Sequence, residues 1–488
     1  MSSTKSRSGG MRSQVVRPVA PRHTARPRAA TRPSTGGLLA PPTQGAARYV
    51  FWVLTAINFI NYLDRIVFVA VGPQLKLDFH LNDAQVGMTA SAFLLIYTLF
   101  ALPMGLLADR GARTRIIAFG VALWSLATWY TAIAHTFGEL FVGRAVLGIG
   151  EASYIPAGVA LLAAYFPRAQ RAQVLSRWGA STLVGTAVGF IAGGVIAQHF
   201  GWRLAFFICG PPGLVLAWLI WRAADRQAYD EADRRSASQL RTTQPRVAPG
   251  SGWLATLAGQ ARAVLRSPTV RVSIFLQALG LFVTTPAIVF VPIHLKEHYH
   301  LGIQTTALIT GAVLIPAGVL GTLLGGAMAD RLSQRFAGGR MLAVAIGFGG
   351  AVPFIVTGFL SANIFMLLGL SFVGALFMNM YNGPLNAAIQ DVVPPALRAS
   401  ALAVIMTIAH LLGDVGSPTL VGAVAGKLAS HNVMHALVIF AGPALTLAAI
   451  LALLAARTYA RETTPAGGNV AATRTEPLLG GAAGMVGH

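Results

Sequence analysis

Apolar residues run along this chain in blocks of about twenty, broken by short polar turns, and the pattern recurs about twelve times. A block of that length, coiled as a helix rising ~1.5 Å per residue, crosses the ~30 Å hydrocarbon layer of a bilayer. The blocks fall near 49–72, 84–108, 115–134, 138–165, 172–197, 203–222, 270–293, 303–329, 340–361, 363–389, 397–427 and 434–456. They predict an all-α polytopic membrane protein of about twelve transmembrane helices. A polar stretch at 223–268 divides it into two six-helix bundles, 49–222 and 269–457, with tails at 1–48 and 458–488.

Composition agrees with that pattern, since 55% of the 488 residues are hydrophobic and 11% are charged, a balance no water-soluble surface supports. The single cysteine, Cys209, provides neither a disulfide framework nor a cysteine metal site. Residues 1–48 lack the apolar core of a cleavable signal and carry nine Lys or Arg and no acid, which predicts a disordered basic tail.

The net charge of +21 raises nucleic acid as a partner, but the arginines lie in alternate connections between spans. Arg110, Arg113 and Arg115, then Arg168 and Arg171, the central loop, Arg331, Arg335 and Arg340, Arg398, and Arg457 and Arg461 all fall on one side. The positive-inside bias puts that side, both termini and the central loop in the cytoplasm of a multi-pass cell membrane, inner or plasma. Topology and attraction to anionic lipid therefore account for the charge, and no nucleic-acid partner is expected.

Charges inside the apolar blocks are a different matter, because each costs a few kcal/mol at that depth (~2.5–3.5) and so faces a partner or an aqueous path. Asn58, Asn61 and Asp64 or Arg65 share a face of the first helix, spaced by three and four. Arg144 and Glu151 lie seven apart in the fourth span, followed by Ser153 and Tyr154. Two readings stand: neutral pairs that lock the N-terminal bundle, or carboxylates that exchange a proton when substrate rearranges the pair. In the eleventh span His410, Asp414 and Ser417 share a face, with Asp414 placed to partner His410, either as packing or as a working site. The tenth carries Asn379, Asn382 and Asn386 on one face, either lining a cavity or bonding between helices. No nucleophile stands in an elbow sequence, so an enzyme is not expected, and neither a metal nor a cofactor is called for.

The two halves repeat each other. Gly105, Ala108, Asp109 and Arg110 after the second span recur as Gly326, Ala329, Asp330 and Arg331 after the eighth, with Arg113 and Arg335 following. These loops resemble the cytoplasmic loop motif of the major facilitator superfamily, and Arg144, Gly148 and Gly150 resemble its helix-four pattern. Gly185, Gly189, Gly193 and Gly194 are similar to its glycine-rich fifth helix without the usual proline, and read as close packing. Asn61 to Arg65, Gly148 to Tyr154, and His410 to Pro418 together look like the Spinster family over most of 49–457.

That resemblance implies the major facilitator fold, a monomer, and proton-dependent transport of lysophospholipids or sphingosine phosphate by alternating access. By it, Asp64 and Glu151 are the proton-linked acids, and Arg65 and Arg144 meet an anionic head group. Asn58, Asn61, Tyr154, Asn382 and His410 are the further substrate contacts expected. Asp109, Arg110 and Arg113, with Asp330, Arg331 and Arg335, are expected to gate. The partners are then membrane lipids, protons and a small amphiphilic anion; the competing expectation is a sugar-acid or other organic-anion:proton symporter.

Overall fold

The computed structural model describes residues 43–110, 113–223, 259, 261–394, 397–428 and 432–463. The basic tail, most of the central loop and the end of the chain lie outside the described residues. The helices are α1 (Gln44–Asp78), α2 (Asp83–Arg110), α3 (Arg113–Ala132), α4 (Phe137–Ala152), α5 (Tyr154–Tyr165), α6 (Arg168–Phe200) and α7 (Trp202–Arg222) in the first half. The second holds α8 (Pro268–Tyr299), α9 (Ile303–Arg335), α10 (Gly339–Leu360), α11 (Ile364–Asn379), α12 (Asn382–Val392), α13 (Arg398–Gly413), α14 (Ser417–Ala425) and α15 (Val433–Thr463).

Among the described residues, eleven segments are long and apolar enough to span a membrane by themselves. The twelfth crossing is α3, whose 20 residues open on Arg113 and Arg115 and include Ser125, Thr128 and Thr131. Those polar groups lower its hydropathy, yet α3 packs along α7 and α4 with Ser125, Thr128 and Thr131 buried, so neighbouring helices rather than lipid surround those groups.

Three crossings are broken, and each break has a proline behind it. Pro156, Pro384 and Pro418 cannot donate to the carbonyls of Ala152, Met380 and Asp414, four residues earlier, where α4, α11 and α13 end. At the first break, Ser153 Oγ donates to the Gly150 carbonyl at 2.8 Å and supplies a partner for that turn.

The halves meet at the end of the bundle that holds the turns after α1 and α8. There α2 and α14 cross so closely that a Cβ on Gly87 would lie 2.2 Å from the Pro418 carbonyl oxygen, and one on Gly422 2.1 Å from that of Asp83. Thr419 donates to Ser91 at 2.8 Å and the Ile303 amide to Gln198 at 2.8 Å. Lys76 joins the halves ionically, 2.6 Å from Asp83 and 2.7 Å from Glu297. The repeat also appears in the backbone: His80 and His300, each ahead of a leucine and each just past the end of a half's first helix, take left-handed φ values of 51° and 54°. His is among the few non-glycine residues enriched there.

Candidate functional site

Buried charge converges where α1, α2 and α4 meet. Arg65 Nε donates to Glu151 Oε2 at 2.5 Å, across 86 residues of sequence, with Asn61 beside the same carboxylate. Glu151 is fully buried while the Arg65 side chain keeps 22% of its surface exposed, so the pair lies at the boundary of an accessible space rather than in a sealed core. Three rings flank the guanidinium: Tyr62, Phe93 and Tyr97, with centres 5.4, 5.0 and 4.9 Å from Arg65 Cζ. Ring faces carry negative quadrupole charge, and out of water such contacts are worth ~2 kcal/mol or more.

Arg144 and Asp64 do not complete a second ion pair. Among the described residues Arg144, 4% exposed, has no carboxylate oxygen within 4.0 Å and its Nε has no hydrogen-bond partner. Its charge rests on Phe68 and Phe93, 4.0 and 4.6 Å from Cζ. Asp64 Oδ2 accepts from Thr128 at 3.4 Å with the Cys209 thiol alongside, and Oδ1 has no hydrogen-bond partner among the described residues. The four charges are therefore one tight pair, one aromatic-held cation and one carboxyl held by neutral groups. The wholly locked arrangement of two neutral pairs is not what forms.

Two residues expected to meet substrate are engaged elsewhere. Asn58 Nδ2 donates to Ser181 and Thr182 at 2.8 and 2.9 Å and ties α1 to α6. Tyr154 donates to the Leu54 carbonyl at 2.7 Å and accepts from Trp178 Nε1 at 2.8 Å, fully buried. On α11 and α12, Asn379, Asn382 and Asn386 each donate to a carbonyl three or four residues earlier, Asn382 reaching back across the break to Asn379, and Asn379 also lines the cavity of the C-terminal half.

His410 Nδ1 and Asp414 Oδ2 are 2.8 Å apart at the α13–α14 break, joining the two residues that share a face. In the same half, α8, α9, α10 and α11 line a cavity of about 60 Å³ walled by apolar groups such as Val283, Val291, Leu314, Phe359, Leu367 and Met378.

For the gating residues, Asp109 and Arg110 end α2, and their side chains lie outside the described residues. Arg113 is buried, whereas Asp330, Arg331 and Arg335 are exposed at the end of α9. A cluster that sequence reasoning missed sits beside that end. Arg340, one of the arginines that the positive-inside bias accounts for, pairs with Asp391, and Tyr459 donates to the same carboxylate at 2.5 Å. The signal available was Asp391 itself, an acid at the edge of the tenth apolar block.

The sequence matches the Major Facilitator Superfamily over residues 54–417 and again over 271–485. The chain belongs to that superfamily. It is 28% identical to Protein spinster homolog 1 of Mus musculus, covering 84% of this chain and 80% of that protein. It is 29% identical to the Homo sapiens Protein spinster homolog 1 over 79% and 74%. An MFS-type efflux pump of Mycolicibacterium smegmatis is 27% identical over 77% and 84%. Among solved structures, a bacterial homolog of the human lysosomal transporter Spinster, inward-facing and unoccupied, superposes with a TM-score of 0.69 at 23% identity, covering 86% of this chain and 98% of that one. A D-xylose-proton symporter gives 0.62 at 16% identity over 83% and 97%. The protein is thus a multi-pass membrane transporter of the Spinster-like kind, and family and fold indicate transport rather than enzymatic chemistry.

Proposed function

We propose that this superfamily member is a proton-coupled secondary transporter of an amphiphilic anion, of lysophospholipid or sphingoid phosphate type, working as a monomer by alternating access. The observation that carries the reading is the Arg65–Glu151 pair, partly exposed on the arginine side and buried on the acid side. An anionic head group that binds Arg65 competes with Glu151, and a carboxylate released into a buried site exchanges a proton with water that enters beside it. One arginine thereby serves two ligands, so substrate and proton are thermodynamically coupled. Asp64, held by a hydroxyl and a thiol instead of a cation, is the second proton-linked acid.

An amphiphile needs apolar surface as well, and the apolar lining shared by α8, α9, α10 and α11 favours the C-terminal half as the side that takes the tail. With both termini cytoplasmic, as the positive-inside bias requires, the closed end carrying Lys76 and Glu297 faces outward. Asp109, Arg110 and Arg113, with Asp330, Arg331 and Arg335 and the neighbouring Arg340–Asp391 pair, then belong to the inner gate.

Reconstitution into proteoliposomes with a panel of lysophospholipids, sphingoid phosphates and sugar acids tests this. The expected result is lipid movement that responds to an imposed pH gradient and is lost in Arg65→Ala. Movement of sugar acids with no lipid moved would replace the reading with an organic-anion:proton symporter.

A further inference from the structure

Phe93 carries no charge and stands in none of the recognised motifs, yet its ring is shared by both arginines. It lies on α2, 5.0 Å from Arg65 Cζ on α1 and 4.6 Å from Arg144 Cζ on α4. Two like charges against one ring repel each other, so their proximity needs an attractive surface between them and a carboxylate nearby. Phe93 is that surface, and Glu151 is that carboxylate. We propose that Phe93 is the positioning residue of the site, holding Arg65 and Arg144 together so that Glu151 passes from one to the other as substrate binds. This inference rests on the transport reading above.

The backbone supports the same arrangement. Gly148 lies four residues after Arg144 and three before Glu151, on one face of α4, and a Cβ there would sit 2.8 Å from the Phe93 carbonyl oxygen and 3.0 Å from the Tyr97 amide nitrogen. Glycine at that point lets α4 lie directly on the turn of α2 that presents Phe93. The two arginines meet the ring because the helices meet at its base. Arg144, which has no carboxylate within ion-pair distance, keeps its place through Phe68 and Phe93 alone among the described ring contacts. When an anion takes Arg65, Glu151 is left within reach of a guanidinium that is already oriented.

A ring that only fills space makes a different forecast from one that holds cations. Leucine and methionine keep the apolar volume and lose the quadrupole, whereas tyrosine keeps both. Transport kinetics for Phe93→Leu, Phe93→Met and Phe93→Tyr are measured from pH 5.5 to 8 in proteoliposomes, beside Arg65→Ala and with the melting temperature of each protein. The expected result is a KM for the Leu and Met variants raised about tenfold, equivalent to ~1.4 kcal/mol, with a flattened pH profile and a melting temperature near wild type. Tyr retains both KM and profile. A Leu or Met variant with wild-type KM and pH dependence, while Arg65→Ala is impaired, overturns the role of Phe93 and leaves the transport reading intact. Unimpaired Arg65→Ala removes the head-group role of Arg65 and, with it, this proposal.

Discussion

Neutralising Glu151 without changing its shape probes the coupling directly. In Glu151→Gln the charge-assisted bond from Arg65, 2.5 Å long, becomes a bond to an amide carbonyl. Breaking a fully buried ion pair by removing one charge costs ~3–5 kcal/mol. Here two features reduce that figure: Arg65 keeps 22% of its side-chain surface exposed, and three aromatic faces remain around its guanidinium. Glutamine also still accepts a hydrogen bond, so the loss approaches that of one charged hydrogen bond weakened to a neutral one, about 1–2 kcal/mol. The protein therefore stays folded. With the competing carboxylate gone, Arg65 meets an anionic head group without displacing anything, so the KM for lipid stays level or falls. The proton term at Glu151 disappears. Uptake or efflux in proteoliposomes at fixed lipid, compared across pH 5.5 to 8, a range that brackets ordinary histidine titration near ~6.5 and reaches toward the carboxylates, becomes shallower than wild type, with Asp64 supplying the slope that remains. A Gln variant with the wild-type pH slope refutes the exchange at Arg65, whatever its KM does.

Asp64→Asn is expected to abolish proton-driven transport while the protein inserts and folds, because Thr128 and the Cys209 thiol can contact an amide as readily as a carboxyl; a retained response to an imposed pH gradient argues against Asp64. Tyr154→Phe removes the hydroxyl between Leu54 and Trp178 and is expected to cost ~1–2 kcal/mol of stability, with KM unchanged. A raised KM at intact stability would return Tyr154 to the substrate site. Lys76→Met breaks the link from α1 to Glu297 and is expected to shift the balance toward the outward-open state by roughly fivefold, the equivalent of ~1 kcal/mol for a partly exposed pair. Alkylation of a cysteine introduced beneath the closed end reports it, and an unchanged labelling rate would show that the other contacts at that end, the Gly87 and Gly422 seam among them, hold it shut without Lys76.

Placement of charge in the membrane was legible from sequence because hydrocarbon gives an ion no partner, so Asp64, Arg65, Arg144 and Glu151 stood out against their apolar blocks. Pairing was not legible. Periodicity ranks residues by helix face, and it cannot decide between Asp64 and Glu151 as the partner of Arg65, since that choice depends on how α1 and α4 cross. The same limit applies to Asn58 and Tyr154, which periodicity places among site candidates and which the helix contacts engage with α6 and α1. Arg340 shows the converse: a loop arginine that topology explains sufficiently, until α10, α12 and α15 bring Asp391 and Tyr459 to it.

By itself, then, the sequence determined the helical spans, the internal repeat and the residues too polar for lipid, because bilayer thickness and the cost of burying charge act on each segment separately. Tertiary structure decided which charges are paired, which cation rests on rings, and where the halves touch. These depend on atoms far apart in the chain, brought within a few ångströms by glycine seams and helix breaks whose effect only the packed bundle reveals. The charges at 64 and 65 illustrate both, since sequence marks the two as a unit and the fold separates them, one on Glu151 and the other on Thr128.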